Sequence, residues 1–294
     1  MTGWIKKYGH HYLMLAPFFL LFFIFFLYPI LYGFKTSFTD WDGIHTPVFI
    51  GLDNYTKIIH SKQFTQSFSN LLLYVALTVP AGIGTAFILA VLVNSFSKKW
   101  SDFFRSAYFI PTVIPLFLAA SIWRWMYAPE YGFINLILKW LGLSSVSWLT
   151  DPHVMMFSLV IVDVWISAGF NMVILLAGLN DIPDVYYDAA KVDGANKWQE
   201  IIHITLPLLE PVLFFSVSYG IISALQVFDA PWLLTASDYL NYGGRRGRLL
   251  FPVMHMVGQA FGALKFGQAA AYGFLLTVLI LLLTAIQFLI RKKK

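Results

Sequence analysis

Long apolar runs separated by shorter polar stretches dominate this chain. A helix that crosses a bilayer needs about 20 mostly apolar residues. Six segments meet that requirement, at about residues 12–32, 70–93, 106–126, 155–176, 212–234 and 269–290. If these were buried helices of a soluble core, a polar shell would have to cover all six of them. The pattern therefore predicts an all-α membrane protein, in which residues 1–294 form a single polytopic domain with six transmembrane helices.

The composition supports a membrane location and excludes several kinds of site. Hydrophobic residues make up 59% of the chain and charged residues only 12%, whereas about 25% of the residues of a soluble domain are charged. The chain contains no cysteine, which excludes disulfides, thiolate metal ligands and a cysteine nucleophile. Its histidines show no HExxH or similar ligand spacing, so we expect no metal site.

Basic residues lie at the ends of the apolar runs, and the net charge is +5. This placement indicates a charge bias between the two membrane faces rather than a nucleic-acid partner. The tail at 291–294 and the doublets at 6–7 and 98–99 favour cytoplasmic termini, whereas GGRRGR at 243–248 opposes them. The first run lacks the short core and cleavage site of a secretory signal, and we interpret it as an uncleaved span.

Prolines and glycines interrupt two of the predicted spans. Pro80 lies near Gly82 and Gly84 in the second span, while Pro111 and Pro115 divide the third. Proline removes a backbone donor and kinks a helix, which membrane helices tolerate when neighbouring groups satisfy the freed carbonyls. Packing curvature explains any one of these residues, but together they predict helices that bend around a cavity.

The polar segment 179–211, between the fourth and fifth spans, predicts two short helices joined by a turn. Pro183 suits a first helical turn. Gly194 ends the first helix, because glycine readily adopts a left-handed conformation. Asn196 caps the second helix, with Gln199 three residues later to complete a capping box.

Two further properties of the segment bear on its partner. A regular helical period places one set of side chains on a single face, namely Trp198, Ile201, Ile202 and Thr205. Six acidic residues against two lysines favour a protein partner with basic groups over anionic lipid. An ordinary connection between two spans would need only about 4–6 residues.

The same segment carries a spaced motif, DAAKVDGA at 188–195 followed by ITLP at 204–207. It resembles the EAA loop of permease subunits of binding-protein-dependent ABC importers, which reads Glu-Ala-Ala, three residues, Gly, and then an Ile-x-x-Pro ending. The chain departs from that loop in having Asp188 in place of the usual Glu, and Ile201 where an aromatic residue is common.

The likeness extends over nearly the whole chain. Four other stretches resemble the carbohydrate-uptake branch of these importers, the maltose or glycerol-phosphate type: LYPILYGFKTSFTDW (27–41), FIGLDNYTKII (49–59), FFRSAYFIPTVIPLFLAASIWRWMY (103–127) and QVFDAPWLLT (226–235). That branch usually continues with Gly-Gly-Pro and a Thr, whereas this chain continues with ASDYLNYGGRRGRLLF. The resemblance implies the type I ABC importer permease fold, with six transmembrane helices and a cytoplasmic coupling helix, in a bacterial inner membrane.

The resemblance also implies the partners. The permease pairs with a second homologous permease subunit, two cytoplasmic ATPase subunits bind ATP and Mg²⁺, and an extracytoplasmic solute-binding protein delivers a sugar or oligosaccharide. The coupling helix would dock into the ATPase through Asp188, Ala189, Ala190, Asp193, Gly194 and Ala195. This chain has no GxxxxGK[ST] sequence to hold phosphate, so we expect a transport subunit with no catalytic residue and no cofactor of its own.

Sugars bind in concave sites through aromatic faces and hydrogen-bonding side chains. The spans and their ends offer six candidates for a substrate pathway: Asp163, Trp165, Asn171, Gln226, Asp229 and Trp232. A carboxylate at the bilayer centre costs about 2.5–3.5 kcal/mol, so Asp163 should face a cavity or a partner helix. Tryptophan is also typical of the membrane interface, and an interhelical hydrogen bond would equally explain Gln226.

Two other classes of protein compete with this interpretation. A secondary transporter driven by an ion gradient would carry more intramembrane acids and an inverted repeat. A membrane-embedded enzyme would cluster titratable groups within its spans. Neither pattern stands out in the sequence. We interpret GGRRG at 243–247 as a flexible basic outer loop rather than an anion site, because short glycine-rich matches are weak signals.

Overall fold

A computed structural model describes residues 2–237 and 239–292. Helices account for most of the described chain. In chain order they are α1 (Thr2–Phe22), α2 (Tyr28–Thr36), α3 (Asp53–Ile59), α4 (Lys62–Asn94), α5 (Lys98–Val113), α6 (Leu116–Met126), α7 (Phe133–Trp140), α8 (Met155–Asn180), α9 (Asp184–Val192), α10 (Lys197–Glu200), α11 (Leu206–Leu208), α12 (Glu210–Leu225), α13 (Asp229–Leu234), α14 (Pro252–Val257) and α15 (Phe266–Lys292). Single π-helical turns lie at Phe23–Leu27, Ile201–Thr205 and Gly258–Gly262, a 3-10 turn lies at Arg245–Gly247, and two short strands are β1 (Thr39–Asp40) and β2 (Val48–Phe49).

Four helices of the described chain are long and apolar enough to cross a membrane, and two bent helix pairs qualify if each pair counts as one span. The four are His11–Thr36, Lys62–Asn94, Met155–Asn180 and Phe266–Arg291. Length and composition thus support between four and six spans. The most apolar window of His11–Thr36 has no residue buried within the chain, as expected of a helix whose surroundings are themselves apolar.

Pro80 does not interrupt the second span, contrary to the sequence prediction. The helix α4 continues through this residue over 33 residues. A proline removes one backbone hydrogen bond, and that loss is small beside the packing of the same helix, where Ala86 and Ala90 are fully buried. Packing therefore decides the conformation here.

The bend predicted at Pro111 and Pro115 is present. The helix α5 ends at Val113 and α6 begins at Leu116, at an angle of 95° to it. Ile114 is extended, with φ −68° and ψ 126°, because a residue that precedes a proline avoids the helical region. The third predicted span is therefore a bent pair of helices.

The fifth predicted span, 212–234, is not a single helix in the structure. The helix α12 ends at Leu225, and three residues separate it from Asp229, where α13 begins. Pro231 is tolerated in the first turn of α13 but would break a continuous helix. A second bend, of 71°, separates Glu210–Leu225 from the preceding Lys197–Leu208.

Two compact units make up the fold. The first comprises Met1–Ser61 and Met256–Val278. In it, the side-chain amide of the buried Asn54 donates to the Thr39 carbonyl oxygen at 2.8 Å. A Cβ on Gly267 would lie 1.9 Å from that same oxygen, so only glycine fits at the start of α15.

The second unit comprises Lys62–His255 and Leu279–Lys294, and it contains both sites described below. Its core forms where α4 packs along α8. Fully or almost fully buried members of this core are Ala86, Ala90, Val93, Met172, Leu175, Leu176 and Leu209. The helix α5 approaches α8 so closely that a Cβ on Gly169 would lie 2.0 Å from the Tyr108 carbonyl oxygen.

Candidate functional site

The helix α9 forms the first half of the loop 179–211. Pro183 is the N-cap of this helix, rather than lying inside its first turn as predicted. Asp184 is the first residue of the helix, where its carboxylate interacts favourably with the positive end of the helix dipole. Gly194 lies just beyond the C-cap with φ +78°, a conformation that glycine adopts without strain. The predicted end of the helix is confirmed.

The second half of the loop begins with the predicted capping box. The Asn196 side-chain oxygen accepts a hydrogen bond from the Gln199 backbone N–H at 2.9 Å. The Gln199 side-chain oxygen accepts one from the Asn196 N–H at 2.8 Å. These N–H groups have no partner within a helix, so the two bonds hold the turn after Gly194 in one conformation.

The prediction that four side chains of this second half share one face is wrong. A π-helical turn at Ile201–Thr205 follows α10, and its wider period rotates the later residues about the helix axis. Thr205 is buried, whereas Trp198 is 68% exposed and Ile202 is 39% exposed. Sequence periodicity missed the change because it assumes a regular α-helix.

One side-chain contact joins the two halves of the loop, and a second lies within the second half. The Tyr187 hydroxyl of α9 lies 3.1 Å from the Thr205 hydroxyl. Lys197 donates to the carboxylate of Glu200 at 2.8 Å, and Glu200 is buried. A cavity of about 340 Å³ separates these groups from Asn94 at the C-terminal end of α4. The burial of Glu200 was not predicted, because an acid in a polar segment gives no sign of it.

The proposed docking residues lie mostly on the free surface of α9 and the following turn. Asp188, Ala189, Asp193 and Gly194 are exposed, and Ala190 and Ala195 are half-buried. Asp188 forms an ion pair with Lys191 at 2.9 Å, and the hydrogen bond from this pairing raises the pKa of Lys191. Val192 is 88% exposed and adds an apolar side chain to this surface. No sequence pattern indicated its exposure. This surface is open to close approach by another protein.

A second candidate site is a cavity of about 250 Å³ between α4, α8 and α12, named here the central cavity. Four of the six predicted substrate-pathway residues line it: Asp163, Asn171, Gln226 and Asp229. Trp165 and Trp232 are not among its described lining residues. Trp165 instead packs edge-on against Trp123, with ring centroids 5.7 Å apart, and Trp232 stacks on Tyr242 at 6.2 Å.

Polar groups that were not predicted complete the lining of the central cavity. Tyr74 and Thr78 of α4 line it, and both are at least nine-tenths buried. The hydroxyl oxygens of these two residues and the side-chain oxygen of Asn171 have no hydrogen-bond partner among the described residues. Tyr74, Thr78 and Gly82 recur every four residues in the sequence, a spacing that places them on one helix face and could have revealed them.

The GGRRGR segment is packed rather than flexible, contrary to the sequence prediction. The Gln66 side-chain amide donates to the Arg246 carbonyl oxygen at 2.7 Å. The Asn70 amide donates to the Gly247 carbonyl oxygen at 2.8 Å. Both donors belong to the first turns of α4, so this basic loop lies at the opposite end of α4 from the cavity beneath α9. Within the described residues, no group of three or more His, Asp or Glu side chains could hold a metal ion.

These features define a polytopic helical membrane protein, with a cavity among its apolar helices and a braced polar loop at one end of them. Residues 78–294 match the family described as "Binding-protein-dependent transport system inner membrane component". The chain belongs to this family. It is therefore the multi-pass permease subunit of an ABC importer rather than a gradient-driven transporter, and it has no ATPase site of its own. The family predicted from its sequence is confirmed.

Relatives and solved structures agree with this assignment. The arabinooligosaccharides transport system permease protein AraP of Bacillus subtilis is 34% identical, over 97% of this chain and 90% of its own length. The trehalose/maltose transport system permease protein MalF of Thermococcus litoralis is 32% identical, over 94% of this chain and 91% of its own. A bacterial ABC transporter involved in the import of the acidic polysaccharide alginate superposes with a TM-score of 0.81 at 24% identity, over 100% of this chain and 99% of that one. The predicted permease fold is confirmed.

Proposed function

We propose that this permease imports a sugar or oligosaccharide, delivered by an extracytoplasmic solute-binding protein and driven by ATP hydrolysis in partner subunits. The carbohydrates for which AraP and MalF are named support this substrate class. A second homologous permease subunit completes the pore, and two ATPase subunits bind ATP and Mg²⁺. The whole chain forms one transmembrane domain of six spans in a bacterial inner membrane, with both termini and the loop 179–211 in the cytoplasm.

The bracing of the loop 179–211 is the observation that carries the proposed coupling. Shifting the ratio of two transporter conformations from 1:99 to 99:1 takes about 5.5 kcal/mol. A mobile loop would transmit little of that binding energy, because part of it would be spent on ordering the loop. Here the capping box of Asn196 and Gln199 fixes the start of α10, and the contact between Tyr187 and Thr205 joins the two halves of the loop. The loop is therefore suited to act as a rigid lever between an ATPase and the spans.

The docking surface consists of small and acidic side chains on α9 and its C-terminal turn. We assign to it Asp188, Ala189, Ala190, Asp193, Gly194 and Ala195. The exposed methyl group of Ala189 leaves room for a cleft to close around the helix. The acidic side chains favour a cleft with basic residues, through complementary charge.

The central cavity is proposed as part of the substrate path. Its carboxylates Asp163 and Asp229, together with Asn171 and Gln226, offer the hydrogen-bonding groups that a sugar needs. We restrict the pathway to these four residues, because Trp165 and Trp232 are not among the described lining residues of the cavity.

Substituting Ala189 by tryptophan tests the docking role. Because Ala189 is exposed, the larger side chain leaves the fold intact while blocking a partner that closes around α9. We expect an affinity-tagged Ala189→Trp permease to retain at least about tenfold less ATPase subunit on purification, equivalent to about 1.4 kcal/mol of binding. Ala263→Trp, the same change at another exposed alanine, serves as the matched control and should retain the full complement.

Two results would contradict the proposal. Equal recovery of the ATPase subunits by the Ala189→Trp and Ala263→Trp permeases would exclude α9 as the docking element. Cells that express the complete transporter should also accumulate at least one labelled carbohydrate from a panel of maltose, trehalose and arabinotriose. If none of these three carbohydrates accumulated, the result would contradict the proposed carbohydrate substrate.

A further inference from the structure

We propose that the central cavity selects uncharged carbohydrate over carbohydrate that bears a carboxylate, sulfate or phosphate group. This selectivity rests on the proposed function, because it assumes that the substrate passes through this cavity. The likeness to known proteins leaves the charge of the substrate open. One relative is named for trehalose and maltose, whereas a structural neighbour is involved in the import of acidic alginate.

The charge of the lining is the first reason. Asp163 and Asp229 both line the central cavity, and none of its described lining residues is a lysine or an arginine. Neither carboxylate belongs to any ion pair of the described residues. Like charges repel strongly where protein rather than water surrounds them. An anionic substrate would therefore meet two carboxylates that no described basic residue pairs with.

The size of the cavity prevents an anion from avoiding this repulsion. Its volume of about 250 Å³ lies below the range of about 300–1,000 Å³ usual for ligand pockets. A charged group on a substrate inside such a space cannot move far from Asp163 and Asp229. Screening by salt is also weak, because the Debye length of about 8 Å at physiological ionic strength is comparable with the cavity itself.

The unpartnered oxygens are the second reason. The hydroxyls of Tyr74 and Thr78 and the side-chain oxygen of Asn171 lack hydrogen-bond partners, although all three side chains are at least nine-tenths buried. The Tyr74 hydroxyl lies beside the Asp163 carboxyl and the Thr78 hydroxyl. Carboxylates and amide oxygens only accept hydrogen bonds, so Asp163, Asp229 and the Asn171 oxygen favour a ligand rich in hydroxyl donors.

A cysteine introduced into the cavity can report its electrostatic potential. The chain has no cysteine, so Ser223→Cys places a single thiol on the cavity lining and Ser147→Cys places one on an exposed loop as the matched control. The assembled transporter in proteoliposomes is treated with a cationic trimethylammonium-ethyl or an anionic sulfonato-ethyl methanethiosulfonate. The modification rate is followed by the mass of this chain. The ratio of the two rates cancels differences in access and in thiol ionisation, since both reagents attack the same thiolate.

We expect the cationic-to-anionic rate ratio at Ser223→Cys to exceed that at Ser147→Cys by at least about tenfold, the lower limit for focusing by a cleft of one charge sign. Adding Asp163→Asn and Asp229→Asn should return the ratio to that of the control. Equal ratios at the two positions would overturn the proposal, as would a ratio that the asparagine substitutions leave unchanged. A thiol at 223 that neither reagent reaches would also count against it.

Uptake then tests the selectivity itself. Cells that express the transporter are offered maltotriose and a trisaccharide of galacturonic acid, and we expect no uptake of the acidic one. Import of the acidic trisaccharide by the unchanged permease would refute charge selection while leaving carbohydrate import intact. Loss of all carbohydrate uptake would instead contradict the proposed function, and the rate ratios at position 223 would still stand as a property of the cavity.

Discussion

Replacing Asn196 by alanine tests whether its capping box holds the loop 179–211 in one conformation. The substitution removes the oxygen that accepts from the Gln199 N–H at 2.9 Å, and it leaves that donor without its partner. Asn196 is exposed, so no packing is lost with it. Losing such a cap costs about 1 kcal/mol, within a range of about 0.5–2, which corresponds to about a fivefold larger population of the opened helix.

Hydrogen–deuterium exchange followed by mass spectrometry measures that population directly, because local opening exposes amides to exchange. Peptides covering 196–205 should exchange about fivefold faster in Asn196→Ala than in the unchanged chain. Peptides from α4 should be unaffected. Asn196→Ser, which retains a capping oxygen, is the control and should restore most of the protection.

Identical exchange in the alanine variant and the unchanged chain would show that the box does not stabilise the loop. Rapid exchange of 196–205 in the unchanged chain would be more damaging, since a loop that is already open cannot transmit force to the spans. The lever proposed for α9 and α10 depends on slow exchange in this segment.

Two further predictions concern other parts of the chain. Gly169→Ala should lower the free energy of unfolding by about 1–3 kcal/mol through overpacking, because the new Cβ would lie 2.0 Å from the Tyr108 carbonyl oxygen. Gly82→Ala is the control, since its nearest contact is 3.6 Å away, and it should leave the thermal unfolding midpoint in detergent unchanged. Equal midpoints for the two variants would refute this packing. In the turn at 42–45, hydrogen bonding between Asp42 and His45 at 2.5 Å raises the pKa of His45 above 6.5 and lowers that of Asp42 below 3.8. The stabilisation of the turn by this pair is therefore complete between pH 3.8 and 6.5, and it is lost as pH rises through the raised pKa of His45 or falls through the lowered pKa of Asp42. The exchange protection of amides 44 and 45 measures this stabilisation. In Asp42→Ala that protection should not vary with pH.

Local patterns predicted the features that depend on local energetics. The capping box at Asn196 and the left-handed Gly194 follow from hydrogen bonds and backbone preferences within a few residues. The long helices follow from apolar runs, because a bilayer requires each spanning segment to satisfy its own backbone. The bend near Pro115 belongs with them, since proline restricts the residue before it whatever the surroundings.

Features that depend on distant contacts could not be predicted in this way. Glu200 is buried because α9, α10 and the end of α4 meet around it. The basic loop at 243–248 is held by Gln66 and Asn70, which lie far away in the sequence. The central cavity draws its lining from five helices that are distant in sequence, α4, α6, α8, α12 and α13, so only part of it was identifiable from the residue types. Trp165 and Trp232 were chosen on chemistry alone, and ring packing takes them out of the lining.

The docking of α9 onto a separate ATPase can be tested most directly by cross-linking from one position. Because the chain has no cysteine, Ala189→Cys carries a single thiol on the exposed surface of α9, to which a short photoactivatable cross-linker can be attached in the assembled transporter. We predict a covalent product whose mass equals this permease plus one ATPase subunit, formed in higher yield than from Ala263→Cys. Products containing only lipid or this chain alone, in a transporter that still imports its substrate, would contradict the proposed coupling.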